Sequence, residues 1–194
     1  MIMKKMDNSE TNQNEIDLKI PRERVGVLIG KDGEIRKQIE ENGEISLLID
    51  SREGDVRIIQ RGDPLKANIS AEVVKAIGRG FNPEKAMFLF DENYQLIVMT
   101  LREYARKGSR RIGEIKGRII GREGKTRKVI EDLTGTSVSI YGDTVSVIGD
   151  YISIKYSLEA IKMIIEGRKQ RTVYNFLEGN VKKMKMEKLE EAFR

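Results

Sequence analysis

Residues 119–128 read IIGREGKTRK, and Gly124-Lys125-Thr126 within them is the ending of a phosphate-binding P-loop. Such a loop would curl its backbone N–H groups around a nucleotide phosphate and bring the lysine to it. The curl requires a glycine five positions before Gly124, and that position holds Ile119, a β-branched residue. Nucleotide chemistry is therefore disfavoured. The chain contains no Cys and no His, which removes thiolate nucleophiles, the usual zinc sites and histidine acid–base catalysis. No catalytic residue, metal ligand or cofactor is expected, and an enzyme is the least favoured reading. What remains is a pair of glycines, Gly121 and Gly124, ahead of Lys125, Arg127 and Lys128.

The same pattern occurs earlier in the chain. VGVLIGKDGEIRKQIEE (25–41) aligns without a gap on KGRIIGREGKTRKVIED (116–132), an offset of 91 residues. Gly26/Gly117, Ile29/Ile120, Gly30/Gly121, Gly33/Gly124, Arg36/Arg127, Lys37/Lys128, Ile39/Ile130 and Glu40/Glu131 are shared, whereas Lys125-Thr126 becomes Glu34-Ile35. The repeated unit is Ile-Gly-x-x-Gly-x-x-Arg-Lys, without the P-loop's Lys-Thr.

The elements around each copy also repeat. EIDLKI alternates like a half-buried strand, RERVGVLI is a short helix, and GEIRKQIEENG is a second helix expected to end at Gly43. ISLLID, SREGD and VRIIQ then read as a hairpin, and Asp63-Pro64 starts a helix with Ile69, Val73, Val74 and Ile77 on one face. The second copy follows the same order from YQLIVMTL, with an extra REYARKGSR, a hairpin at Gly142-Asp143 and a closing helix YISIKYSLEAIKMIIEG.

This β-α-α-β-β-α order, with Gly-x-x-Gly joining the first two helices, resembles the eukaryotic-type (type I) KH domain, here twice in tandem in an α+β chain. The glycines let a nucleic-acid backbone come close, and the start of the next helix offers N–H groups to phosphates. KH domains clamp about four nucleotides of single strand in this way. The expected RNA-binding residues are Gly117, Arg118, Ile120, Gly121, Arg122, Glu123, Gly124, Lys125, Arg127 and Lys128 in the second copy. In the first copy they are Gly30, Lys31, Asp32, Gly33, Arg36 and Lys37.

The copies differ in charge. Residues 22–40 hold five basic and four acidic side chains, a net of +1, whereas residues 110–128 hold eight and two, a net of +6. Phosphate contacts dominate nucleic-acid affinity, so the second copy is expected to carry most of it. Asp32 and Glu34 would repel a phosphate at the first loop, which leaves RNA and protein both open as its partner. The net charge of +5 for the whole chain is a weaker indication of an anionic partner.

Two KH units filling nearly all of a 194-residue chain, with FNPEKA (81–86) and the long string from YQLIVMTL to SVIGD, resemble archaeal members of the Dim/Pno ribosome-assembly factors. The resemblance implies binding to single-stranded RNA at the 3′ end of small-subunit rRNA. It also implies a Nob-type endonuclease and the α subunit of translation initiation factor 2 as partners. A KH regulator of other RNAs and a scaffold that binds no RNA are the alternatives.

The expected organisation is a disordered segment 1–14, a first KH domain 15–81, a linker 82–93, a second KH domain 94–167 and a C-terminal helix 168–194. In the last, Val173, Phe176, Leu177, Val181, Met184 and Leu189 recur at helical spacing, for internal packing or for a partner. No apolar run approaches the ~18 residues of a membrane span, and MIMKKMD lacks a signal peptide's apolar core, so a cytoplasmic protein is expected.

Overall fold

Alternation of apolar and charged residues places β1 (Glu15–Lys19) with Ile16 and Leu18 turned to the core and Glu15, Asp17 and Lys19 to solvent. The computed structural model describes residues 14–107 and 109–193. The segment 1–14, expected to be disordered, lies outside the described residues except for Asn14, whose carbonyl accepts from Gln60 N at 3.2 Å.

The first half continues through α1 (Arg22–Ile29), α2 (Glu34–Gly43), β2 (Ile45–Asp50), β3 (Asp55–Gln60) and α3 (Pro64–Gly78). Its antiparallel sheet has the order β1-β3-β2. On the solvent face Asp17 lies opposite Arg57 and Lys19 opposite Asp55, with ion pairs of 2.8 and 2.9 Å. Opposite charges at facing positions favour this register. Asp63 caps α3 by accepting from Leu65 N at 2.8 Å, and Val73, Val74 and Ile77 are fully buried beneath it, with Ile69 half-buried.

Helix α2 ends at Gly43 as expected, with one local difference. The left-handed residue after α2 is Glu44 (φ 50°), and Gly43 stays inside the last turn. The packing explains this, because a Cβ on Gly43 would lie 1.9 Å from Ser70 Oγ of α3. Glycine is needed there for helix contact. Residues 82–93, expected as a linker, include α4 (Pro83–Ala86) and a 3₁₀ turn Met87–Phe90. Ala86 and Leu89 are buried in the first core, so the connection is itself packed.

The second half runs β4 (Tyr94–Thr100), α5 (Arg110–Ile120), α6 (Lys125–Thr134), β5 (Ser137–Tyr141), β6 (Thr144–Asp150) and α7 (Tyr151–Ile165), with sheet order β4-β6-β5. The order and topology repeat those of the first half. Burial of the sheet does not. Ile97 and Val147, paired in register, face the second core, whereas their neighbours Leu96 and Ile148 pack against the first. The second sheet thus lies between its own helices and the first half. Ser139 Oγ donates to Arg79 O at 2.8 Å across this junction, and Tyr141 donates to Glu23. That hydrogen bond holds the Glu23 carboxyl below its ordinary range, while desolvation and then Glu23 raise the Tyr141 hydroxyl.

A final helix, α8 (Gln170–Ala192), packs on α6 and α7. Val173, Leu177 and Met184 are buried and Phe176 is half-buried, so internal packing accounts for its first turns. Burying each such side chain contributes about 1.5–3 kcal/mol. Leu189 is exposed. Among the described residues, no helix is long and apolar enough to cross a membrane.

Candidate nucleic-acid interface

Each Gly-x-x-Gly connects two helices by a single turn of 3₁₀ helix. Gly121 caps α5 by donating to Gly117 O at 2.8 Å, and Gly124 N donates back to Gly121 O at 3.3 Å. In the first loop the same bonds, Gly30 to Gly26 and Gly33 to Gly30, measure 2.9 and 3.4 Å. The backbone angles agree as closely: φ/ψ of 73/178° at Gly30 against 74/177° at Gly121, and 76/16° at Gly33 against 77/8° at Gly124. Between the glycines, Asp32 and Glu123 both take left-handed angles, with φ of 52° and 51°. The two loops have one shape, and their difference is chemical.

The glycines do different jobs within that shape. A Cβ on Gly121 would lie 2.2 Å from Thr126 Oγ1 and 2.7 Å from Thr126 N, so the following helix closes directly on it. At Gly30 the closing residue is Ile35, 2.5 Å away. Gly33 and Gly124 face open space, as do Gly26 and Gly117 one helical turn earlier. A glycine inside a helix costs ~1 kcal/mol relative to Ala, and no internal neighbour of Gly26 or Gly117 accounts for that cost. It leaves bare backbone beside each loop.

Charge falls where the sequence places it. Arg122, Glu123, Lys125, Arg127 and Lys128 are exposed around the second loop, with Arg118 half-exposed one turn back and Ile120 half-buried beneath. Around the first loop, Lys31, Asp32, Glu34 and Lys37 are exposed and Arg36 is half-buried, three cations against two acids. No side chain caps the helix starts in either loop; Gly33 and Gly124 N–H turn back to Gly30 O and Gly121 O, and Glu34 and Lys125 N–H to Lys31 O and Arg122 O.

The glutamate shared by the two copies, with no role assigned from the sequence, has one in the structure. Glu40 Oε1 accepts from Leu47 N at 2.7 Å, and Glu131 Oε1 accepts from Val138 N at 2.8 Å. Each closes an edge N–H of the strand beside the loop helix and fixes the helix against that strand. The same carboxylates hold the motif arginines, Arg36 to Glu40 at 3.2 Å and Arg127 to Glu131 at 3.6 Å. Lys85 of α4 also reaches Glu131, at 3.6 Å, so the connection between the halves contributes a cation to the second loop's flank. Lys128 has no such carboxylate among the described ion pairs, which leaves it the freer cation of the Arg-Lys pair.

Two further contacts were not legible from the motif. Tyr174 OH and Gln170 Nε2, both on α8, meet Thr126 Oγ1 at 3.1 and 2.9 Å. Thr126 is buried behind Gly121, so α8 braces the loop through it. The residues predicted to act together at each loop do lie together, on two separate loops.

The geometry has counterparts in known proteins. A family model described as a eukaryotic type KH-domain (KH-domain type I) matches residues 95–182. A KH domain-containing protein of Methanocaldococcus jannaschii is 43% identical over 176 residues, covering 89% of this chain and 77% of its own length. The crystal structure of Dim2p from Pyrococcus horikoshii OT3 is 40% identical with a TM-score of 0.79, covering 86% of this chain and 99% of that one. The structure of an a/eIF2alpha-aDim2p-rRNA complex from the same organism gives 39% identity and a TM-score of 0.83, over 90% and 97% of the two chains. A protein of unknown function from Aeropyrum pernix matches with a TM-score of 0.86 at 33% identity, over 93% and 97%.

Proposed function

The chain belongs to the archaeal Dim2/Pno1 family of KH-domain proteins, and from that premise we propose that it is a non-catalytic single-stranded RNA-binding protein of small-subunit ribosome assembly. In this reading both halves are type I KH domains, 15–81 and 94–167, joined by the packed connection 82–93 and followed by the C-terminal helix 168–194. The first half lies outside the matched region, and its KH assignment is supported by the repeated sheet order and loop angles.

The observation that carries the reading is the identity of shape and inequality of charge in the two loops. The second presents Gly117, Arg118, Ile120, Gly121, Arg122, Glu123, Gly124, Lys125, Arg127 and Lys128 as an RNA site of net positive charge. Phosphates of an unpaired strand lie against the helix-start N–H groups, and bases lie along the adjoining aliphatic wall. The first, with Gly30, Lys31, Asp32, Gly33, Arg36 and Lys37, contributes weakly to RNA or holds a protein. The relative's complex makes rRNA and the α subunit of initiation factor 2 the first partners to test, and the family resemblance adds the 3′ end of the rRNA and a Nob-type endonuclease. Such a protein works in the cytoplasm without a cofactor.

Cross-linking the protein to RNA in cells and sequencing what is bound tests this directly. Reads should concentrate at the 3′ end of small-subunit rRNA. Reads dispersed over messages would make it a regulator of other RNAs, and no enrichment of any RNA would make it a scaffold.

A further inference from the structure

The turn between α7 and α8, with the first residues of α8, carries Arg168, Lys169, Gln170 and Arg171, all exposed. It is tied to the second loop at three points. Arg118, three residues before Gly121, donates through Nη2 to the carbonyl of Arg168. Gln170 donates to Thr126 Oγ1 at 2.9 Å, and Tyr174 shares a hydrogen with the same oxygen at 3.1 Å. Thr126 lies immediately behind Gly121, so the turn is fastened to the back of the loop itself. In the first half the residue at this position is Ile35, an aliphatic side chain that can make no such hydrogen bond.

Arg168, Lys169 and Arg171 form ion pairs with no carboxylate among the described residues. Arg127, by contrast, faces Glu131. Three cations within four residues repel one another, and a polyanion relieves the repulsion. A groove of the KH kind holds about four nucleotides, so a longer strand continues beyond it.

We propose that the turn Arg168–Arg171 is a second phosphate-binding surface, outside the KH groove, for nucleotides of single-stranded RNA that flank those held at Gly121–Gly124. The proposal rests on the RNA-binding reading above. The groove holds the bases, and the turn binds the continuing backbone through its phosphates without reading sequence. The hydrogen bonds through Thr126 keep the two surfaces in fixed relation, so a long strand meets both without a separate ordering cost at the second.

The test uses the full chain and a triple variant, Arg168→Gln with Lys169→Gln and Arg171→Gln. Gln170, Tyr174 and Thr126 are retained to preserve the brace. Two single-stranded RNAs from the small-subunit rRNA 3′ end are titrated, one of about four nucleotides and one about three times as long. Wild type should bind the long strand more tightly. The variant should lose about tenfold for the long strand and keep its affinity for the short one, with a salt slope shallower by about 2 for three lost phosphate contacts. Unchanged binding of the long strand overturns the proposal, as does equal loss on both RNAs, which would mark a distorted loop. Failure of wild type to bind either RNA overturns the RNA-binding reading instead.

Discussion

Replacing Arg122 and Glu123 together by aspartate should weaken binding of single-stranded RNA by about tenfold to a hundredfold. Hydrogen bonds to charged groups are worth about 1.5–3 kcal/mol, and the change removes a cation from the loop tip. The fold should persist. Both glycines remain, Arg122 is exposed, and the left-handed angle at position 123 suits Asp as it does at Asp32 of the first loop. Lys31→Asp gives the first loop the same two acids on an equivalent backbone, and it should cost no more than about threefold because that loop's net charge is already small. Fluorescence titration of the two variants at one salt concentration compares them. A larger loss from Lys31→Asp would transfer the dominant site to the first half.

Gly121→Ala should be the most damaging single change in the motif. Its φ of 74° with ψ of 177° is a region essentially reserved for glycine, and occupying it with Ala costs about 1–3 kcal/mol. The added Cβ would also meet the backbone N of Thr126 at 2.7 Å, a contact that no rotamer change relieves. A total of about 3 kcal/mol lowers Tm by roughly 6–12 °C in a protein of this size. RNA affinity should fall with it, because the start of α6 must shift. Gly124→Ala provides the contrast. It too has positive φ, 77°, but in the ordinary left-handed region with open space around it, so about 1 kcal/mol is expected. Equal melting temperatures for the two variants would refute the distinction between a packed and an open glycine.

Those two glycines show why much of the site could be read from the sequence. Glycine states a backbone requirement at its own position, and an unbroken offset of 91 residues carried that requirement from one loop to the other. Charge was equally legible, since surface arginines and lysines stay where the chain places them. Contacts between distant elements were not. Nothing in the motif says that Glu131 closes the N–H of Val138, that Lys85 reaches the same carboxylate, or that Thr126 is held by α8. The end of α2 at Gly43 was legible, but its left-handed cap on Glu44 was not, because a glycine near a helix terminus can serve contact with α3 as well as a turn.

The burial of the second sheet was announced more faintly. β1 alternates apolar with charged residues, whereas β4 reads YQLIVMT, an almost unbroken apolar run. Strands covered on both faces look like that. Its half-buried residues, with Leu96 toward the first core and Ile97 toward the second, are the structural counterpart. The packing fixes the position of the first half against the second, and through Lys85 it bears on the loop's own electrostatics.

The central claim, that the second loop holds the backbone of an unpaired RNA strand, is tested most directly by one titration across a salt series. The RNA is the small-subunit rRNA 3′ sequence, alone and annealed to its complement. The single strand should bind well ahead of the duplex, whose bases stay stacked inside and cannot enter a groove of this kind. Its log affinity should fall with log salt at a slope of roughly −2 to −3, the value for three to four neutralised phosphates on a single strand. Equal affinity for the duplex, or a slope near zero for the single strand, would contradict the account.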